Sequence, residues 1–235
     1  MFNSFLRPVE DGKRAIDPIR GGIIYLIPGI YNFVVPPGVT RLLCQLTGAG
    51  GGGSASSEGF AGCGGGGAGF TYGLVSVNPG EVVQITVGQG GQGGITSGQS
   101  GVSGTASVVK SLSAPFGNGA TFSSQGTGAS AVTFTADVIM ASGGGIGGAR
   151  VEVDPTHAGA GGGSGALTTG AGANQNSPGF GGVGNGSIPA GRVASIGNTG
   201  PGGPSETGAG GTGGGWDGMV RAGANGGNGR VRIDW

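Results

Sequence analysis

Apolar and polar positions alternate strictly at the end of this chain: in Arg230-Val231-Arg232-Ile233-Asp234-Trp235 every second side chain is apolar. That is the period of a strand half-buried on a sheet. It recurs in Leu42, Cys44 and Leu46, with Arg41, Leu43, Gln45 and Thr47 on the other face, and again in Val83, Ile85 and Val87 within the segment Glu81 to Val87. Ile23 to Ile27 is an apolar run ending at Pro28-Gly29, and Tyr31 to Val35 is another ending at Pro36-Pro37-Gly38. Tyr72 to Val77 leads into Asn78-Pro79-Gly80. Proline followed by glycine fits a type II turn, whose third position needs a positive φ. Ala106 to Leu112 and Ala131 to Ala141, each bounded by glycine and serine, complete the predicted strands.

Strand, Pro-Gly turn, strand and glycine run therefore occur twice, which predicts paired hairpins. The closing strand, 230–235, has no partner nearby in sequence. It is expected to return to the sheet formed by residues 23 to 112, pinning what lies between.

Glycine accounts for 64 of the 235 residues, mostly in runs between these strands. Ordering glycine costs more backbone entropy than ordering any other residue, so a folded state needs dense main-chain hydrogen bonding in return. Collagen is excluded, because Gly161-Gly162-Gly163 and Gly213-Gly214-Gly215 break a strict three-residue register. The expectation is a body of polyproline-II-like glycine helices (polyglycine II). Such helices have three residues per turn and no internal hydrogen bonds, so their amides and carbonyls bond to neighbouring helices. The predicted fold is all-β with very little α-helix: a β-sandwich-like sheet base carrying the glycine body and irregular loops. Residues 1–22 form an N-terminal arm, and 23–235 one domain. Within it, 23–141 is the β-rich base, 142–229 the glycine bundle and 230–235 the closing strand.

Charge narrows the partners. Charged residues make up 9% of the chain and the net charge is zero, which disfavours nucleic acid and anionic membranes. No continuous apolar run opens the chain as a secretory signal would, and no segment predicts a membrane span, so synthesis in a cytoplasm is expected. Pairing of Cys44 with Cys63 is left open.

No motif carries catalysis. Gly48, Gly50 and Gly53 spell a dinucleotide fingerprint after a strand, yet Ser54-Ala55-Ser56-Ser57-Glu58-Gly59 offers no helix to hold a pyrophosphate. Gly12-Lys13 lacks the remainder of a phosphate loop. The sole histidine, His157, lies near Glu152 and Asp154 with no second histidine or nearby cysteine to build a metal site. No cofactor, metal or catalytic residue is expected. The aromatics Phe60, Phe116, Phe122 and Phe180, with Trp216 beside Asp217 and Arg221, stand next to glycine or small polar residues, as recognition surfaces or bundle caps do. These seven are the contact candidates. Phe2, Phe5, Leu6 and Arg7 are the attachment candidates on the arm.

The chain resembles the glycine-rich domains of bacteriophage tail and tail-fibre proteins. The likeness rests on Tyr31-Asn32-Phe33-Val34-Val35-Pro36-Pro37-Gly38-Val39-Thr40 leading through a strand to Gly48-Ala49-Gly50-Gly51-Gly52-Gly53. It continues through Val77-Asn78-Pro79-Gly80 and Thr86-Val87-Gly88-Gln89-Gly90-Gly91, and ends in Gly226-Gly227-Asn228-Gly229-Arg230-Val231-Arg232-Ile233. The resemblance implies a virion component whose rim loops touch a protein or glycan of the host surface, held to other tail or fibre proteins through residues 1–22. Two further readings stand beside it: a purely structural or decoration protein of the particle, and an ice-binding protein. Self-association is compatible with all three.

Overall fold

The structure is a computed structural model that describes residues 21–130, 136–149, 208–215 and 219–235. It is all-β, with two antiparallel sheets packed face to face and no α-helix among these residues. The larger sheet runs β1 (Gly22–Tyr25), β9 (Arg230–Asp234), β3 (Arg41–Thr47), β4 (Phe70–Ser76) and β8 (Val138–Ser142). The smaller runs β2 (Gly29–Val34), β5 (Val82–Val87), β6 (Ser107–Val109) and β7 (Leu112–Ala114). The alternation read from sequence decides what each face does. Leu42, Cys44 and Leu46 point inward to meet Val231, Ile233, Val83, Ile85, Val109 and Leu112 in a fully enclosed core.

The closing strand returns as expected: β9 lies between β1 and β3, pairing Ile233 with both Ile23 and Cys44. The expected hairpins are corrected. Strands β2 and β3, joined by Pro36-Pro37-Gly38, lie in different sheets, and so do β4 and β5, joined by Asn78-Pro79-Gly80. Gly38 and Gly80 do carry the positive φ of such turns, 80° and 79°. Each turn, however, carries the chain across the sandwich. The two modules pair with each other instead, β2 on β5 and β3 on β4. Both strands of a module expose an apolar face, and folding them into opposite layers buries both, which a flat hairpin would not.

Beyond the sheets stand the glycine helices. Along 49–56 the backbone N–H groups turn in succession to three neighbours. Ala49, Gly52 and Ala55 donate to the carbonyls of Thr105, Val102 and Gln99; Gly50, Gly53 and Ser56 to those of Gly227, Ala224 and Arg221; Gly51 and Ser54 to those of Gly66 and Cys63. Three residues forward match three back on each partner, the repeat of a helix with three residues per turn. The carbonyls rotate likewise. Gly50 and Gly53 accept from Gly91 and Gly94, Ala49 and Gly52 from Gly117 and Ala120, and Gly51 and Ser54 from Gly211 and Gly214.

Helix 49–56 is thus the hub of six, and the six close a ring by bonding to one another. Val102 donates to Gln92, Gly101 to Ala120, Gly66 to Asn118, Gly65 to Gly211, Ala224 to Thr212 and Gly226 to Gly91. A second hub, 60–69, extends the lattice: Gly64 and Gly67 donate to Gly148 and Gly145, and accept from Gly126 and Ala129. The described lattice therefore draws on 48–69, 88–105 and 115–129 as well as on residues after 142. Residues 150–207 of the expected bundle lie outside the described residues.

Sheets and lattice are one continuous body. Strand β3 runs straight into 48–57 and β5 into 88–95, while 60–69, 99–105 and 221–229 run back into β4, β6 and β9. Ser107 rivets the join, its buried hydroxyl donating to the Thr47 carbonyl at 2.7 Å and accepting from the Gly88 N–H at 3.0 Å.

Candidate functional site

Because the glycine segments alternate in direction, their connections gather at the end of the lattice farthest from the sheets. Ser57 and Phe60 close the first turn by exchanging backbone bonds of 3.0 Å, with Gly59 at φ 73°. In the second, the Gln99 side-chain oxygen accepts from the Ile95 and Thr96 N–H groups at 2.9 and 3.0 Å, with Gly98 at φ 67°. In the third, Thr121 donates its N–H to the Ser124 carbonyl and accepts from the Ser124 N–H on its hydroxyl. A fourth connection reaches the tip at Met219 and Val220. There Ser56 clamps Arg221 from both sides, its N–H on the Arg221 carbonyl and its hydroxyl accepting from the Arg221 N–H at 2.7 Å.

These turns are tied to one another. The Ser97 hydroxyl meets that of Ser57 at 3.2 Å, and the Phe60 and Phe122 rings meet edge to face at 6.3 Å. The Cys63 thiol, one turn below, reaches the Phe122 carbonyl. The outcome is a surface of hydroxyls and exposed apolar groups. Ile95 is 72% exposed, Met219 58%, Val220 41% and Phe60 37%. Such a surface can bind by apolar contact and hydroxyl hydrogen bonds, with Glu58 and Arg221 as its described charges.

Of the seven contact candidates, the tip brings together Phe60, Phe122 and Arg221. Phe116 is exposed at the sheet end of its helix, six residues before Phe122 and so ~19 Å from it along a polyproline-II rise. Trp216, Asp217 and Phe180 lie outside the described residues, as do Phe2, Phe5, Leu6 and Arg7 of the arm and the His157 cluster. Sequence reasoning missed Ile95 and did not single out Met219 and Val220. The available signal was an apolar residue beside a turn that breaks a glycine run, as Ile95 stands before Thr96-Ser97-Gly98.

Elsewhere, an open groove of about 650 Å³ crosses the outer face of the larger sheet, lined by Arg41, Leu43, Leu74, Arg232, Asp234 and Trp235. Arg232 and Asp234 neutralise each other there through a two-pronged contact. Cys44 and Cys63 are both buried and not joined in a disulfide. Among the described residues no group of three or more histidine, cysteine or carboxylate side chains is placed to hold a metal.

The profile of a glycine-rich domain family matches residues 26–235, and the chain belongs to that family. No curated protein matches it.

Proposed function

We propose that this member of the glycine-rich domain family is a non-catalytic bacteriophage tail or tail-fibre protein that recognises a host surface through its lattice tip. The observation that supports this reading is the gathering of Phe60, Phe122, Ile95, Met219 and Val220 on mutually tied turns at one end of a hydrogen-bonded body. Rigid loops lose little entropy on binding, so modest apolar contacts suffice for useful affinity. The lattice fixes main chain while leaving the turn side chains free to vary, which separates scaffold from specificity. The protein or glycan of the host surface would meet Phe60, Ile95 and Met219 first. The first described residue, Gly21, pairs with Trp235 at the sheet end away from the lattice, and residues 1–22, carrying Phe2, Phe5, Leu6 and Arg7, would mount the protein on the tail.

The test is retention of the purified protein on host envelopes. Wild type is expected to be retained, and a Phe60→Ala/Ile95→Ser double variant to lose retention at least ~10-fold while its melting temperature moves by no more than about 4 °C. Binding only to virions that lack this protein would assign it the structural or decoration role instead.

A further inference from the structure

The two flanks of the sandwich are finished differently. At one, the pairing of β4 with β8 is bulged between Tyr72 and Gly73, and β6 and β7 are only three residues long. Those are devices that stop a sheet from adding a strand. At the other flank, the edge strands β1 and β2 are paired without a bulge, and β2 runs for six residues. No charged residue occurs between Arg20 and Arg41, and Ile23, Ile24, Leu26, Ile27, Ile30 and Val34 are all exposed. Val82, 60% exposed, lies opposite Val34 and enlarges the patch.

The free main-chain groups on this flank can be identified. Val35 donates its N–H to Glu81 and accepts from Gly80, so it faces the β5 side. Backbone groups alternate sides along a strand. Ile30, Asn32 and Val34 therefore aim their N–H and carbonyl groups outward, where no described residue meets them.

We propose that this edge pairs with the same edge of a second copy, β2 against β2 antiparallel about a two-fold axis at Asn32. The sequence of β2 is self-complementary about that point. Ile30 falls opposite Val34 of the other copy, Tyr31 opposite Phe33, and Asn32 opposite Asn32, so apolar meets apolar and like charges never meet. Ile30, Asn32 and Val34 become hydrogen-bonded pairs, each exchanging two backbone bonds, and the smaller sheet continues from four strands into its copy. No part of the lattice rises from β1 or β2, which join each other through Leu26, Ile27 and Pro28, so the neighbouring body has room. Because the paired strands are antiparallel, the two tips point in opposite directions, and the dimer engages a surface one tip at a time.

Sedimentation of the full chain at about 50 µM tests this. Wild type is expected at twice its 22.1 kDa chain mass. Asn32→Lys sets two like charges opposite each other at the axis and is expected to weaken association by roughly tenfold or more, with an unchanged melting curve once both proteins are diluted to monomers, since Asn32 is exposed. Asn32→Cys places two thiols on Cα atoms ~5.5 Å apart, within disulfide range, and is expected to give a covalent dimer under mild oxidation. Wild type does not, its cysteines being buried. A wild-type mass of 22.1 kDa at every concentration overturns the proposal. So does a dimer that survives Asn32→Lys, or one in which Asn32→Cys fails to cross-link. Envelope retention is read independently of mass, so either result stands without the other.

Discussion

Gly52 sits so close to Gln92 that a methyl group on its Cα would fall far inside contact distance of the Gln92 carbonyl oxygen. Gly50 stands in the same relation to Ala209, Gly51 to Asn118 and Gly53 to Thr212. None of these four glycines has a positive φ. They are required by space, because bringing main chains to hydrogen-bond distance on every side leaves no volume for a Cβ.

Two alanine substitutions separate that cause from backbone strain. Gly52→Ala meets backbone that cannot give way and is expected to cost ~3 kcal/mol or more. Gly38→Ala meets nothing within 4 Å but must hold φ near 80°, and is expected to cost only ~1–2 kcal/mol. Denaturant midpoints of the two variants give the comparison, and equal losses would reject the distinction.

Ser107→Ala removes the hydroxyl joining Thr47 to Gly88, and the Gly88 N–H is left buried with no partner. Orphaning such a group costs ~1–3 kcal/mol. Amide exchange is expected to accelerate most at Gly88 and along 88–95. A uniform change across the chain would show that Ser107 does not act at the join.

Acid tests the salt bridge at the base. Lys110 donates to Glu81 at 2.7 Å, and that bond, with a further one from the Asn78 N–H, holds the Glu81 carboxyl below its ordinary 4.5. A carboxyl depressed by folding adds stability above its unfolded pKa, and the gain vanishes as pH falls through the folded value. Wild type is therefore expected to lose more stability between about pH 7 and about pH 3 than Glu81→Gln. Equal losses would leave the bridge without a measurable role.

Cys44 is predicted to be inert. Burial, reinforced by the nearby charge of Asp234, pushes its thiol up to about 12, and Cys63 is equally enclosed. Neither should react with a disulfide reagent at neutral pH until the chain unfolds, after which both of its two thiols should titrate. Rapid labelling of the native protein would contradict the burial of the core.

The strands were legible because alternation in Arg230 to Trp235 or Leu42 to Leu46 reports directly which side faces a core. The pairing was not. Pro79-Gly80 specifies a turn with a positive φ, and the same turn serves a hairpin within one sheet or a corner between two. At the tip, Phe60 was legible as an aromatic beside Gly59, Phe122 as one between Thr121 and Ser123, and Arg221 only through its nearness to Trp216 and Asp217. Ile95 was hidden, since its exposure follows only from where its run ends in space.

What the sequence determines by itself is local: strand faces, turn positions and the need of a glycine-rich chain for partners outside itself. Only the tertiary structure decides which segments surround 49–56, since glycine has no side chain by which one run could distinguish another. The sheets make that choice. Strand register in β3, β4, β5 and β9 sets where each following or preceding run begins, and the three-residue repeat then carries that placement to the tip.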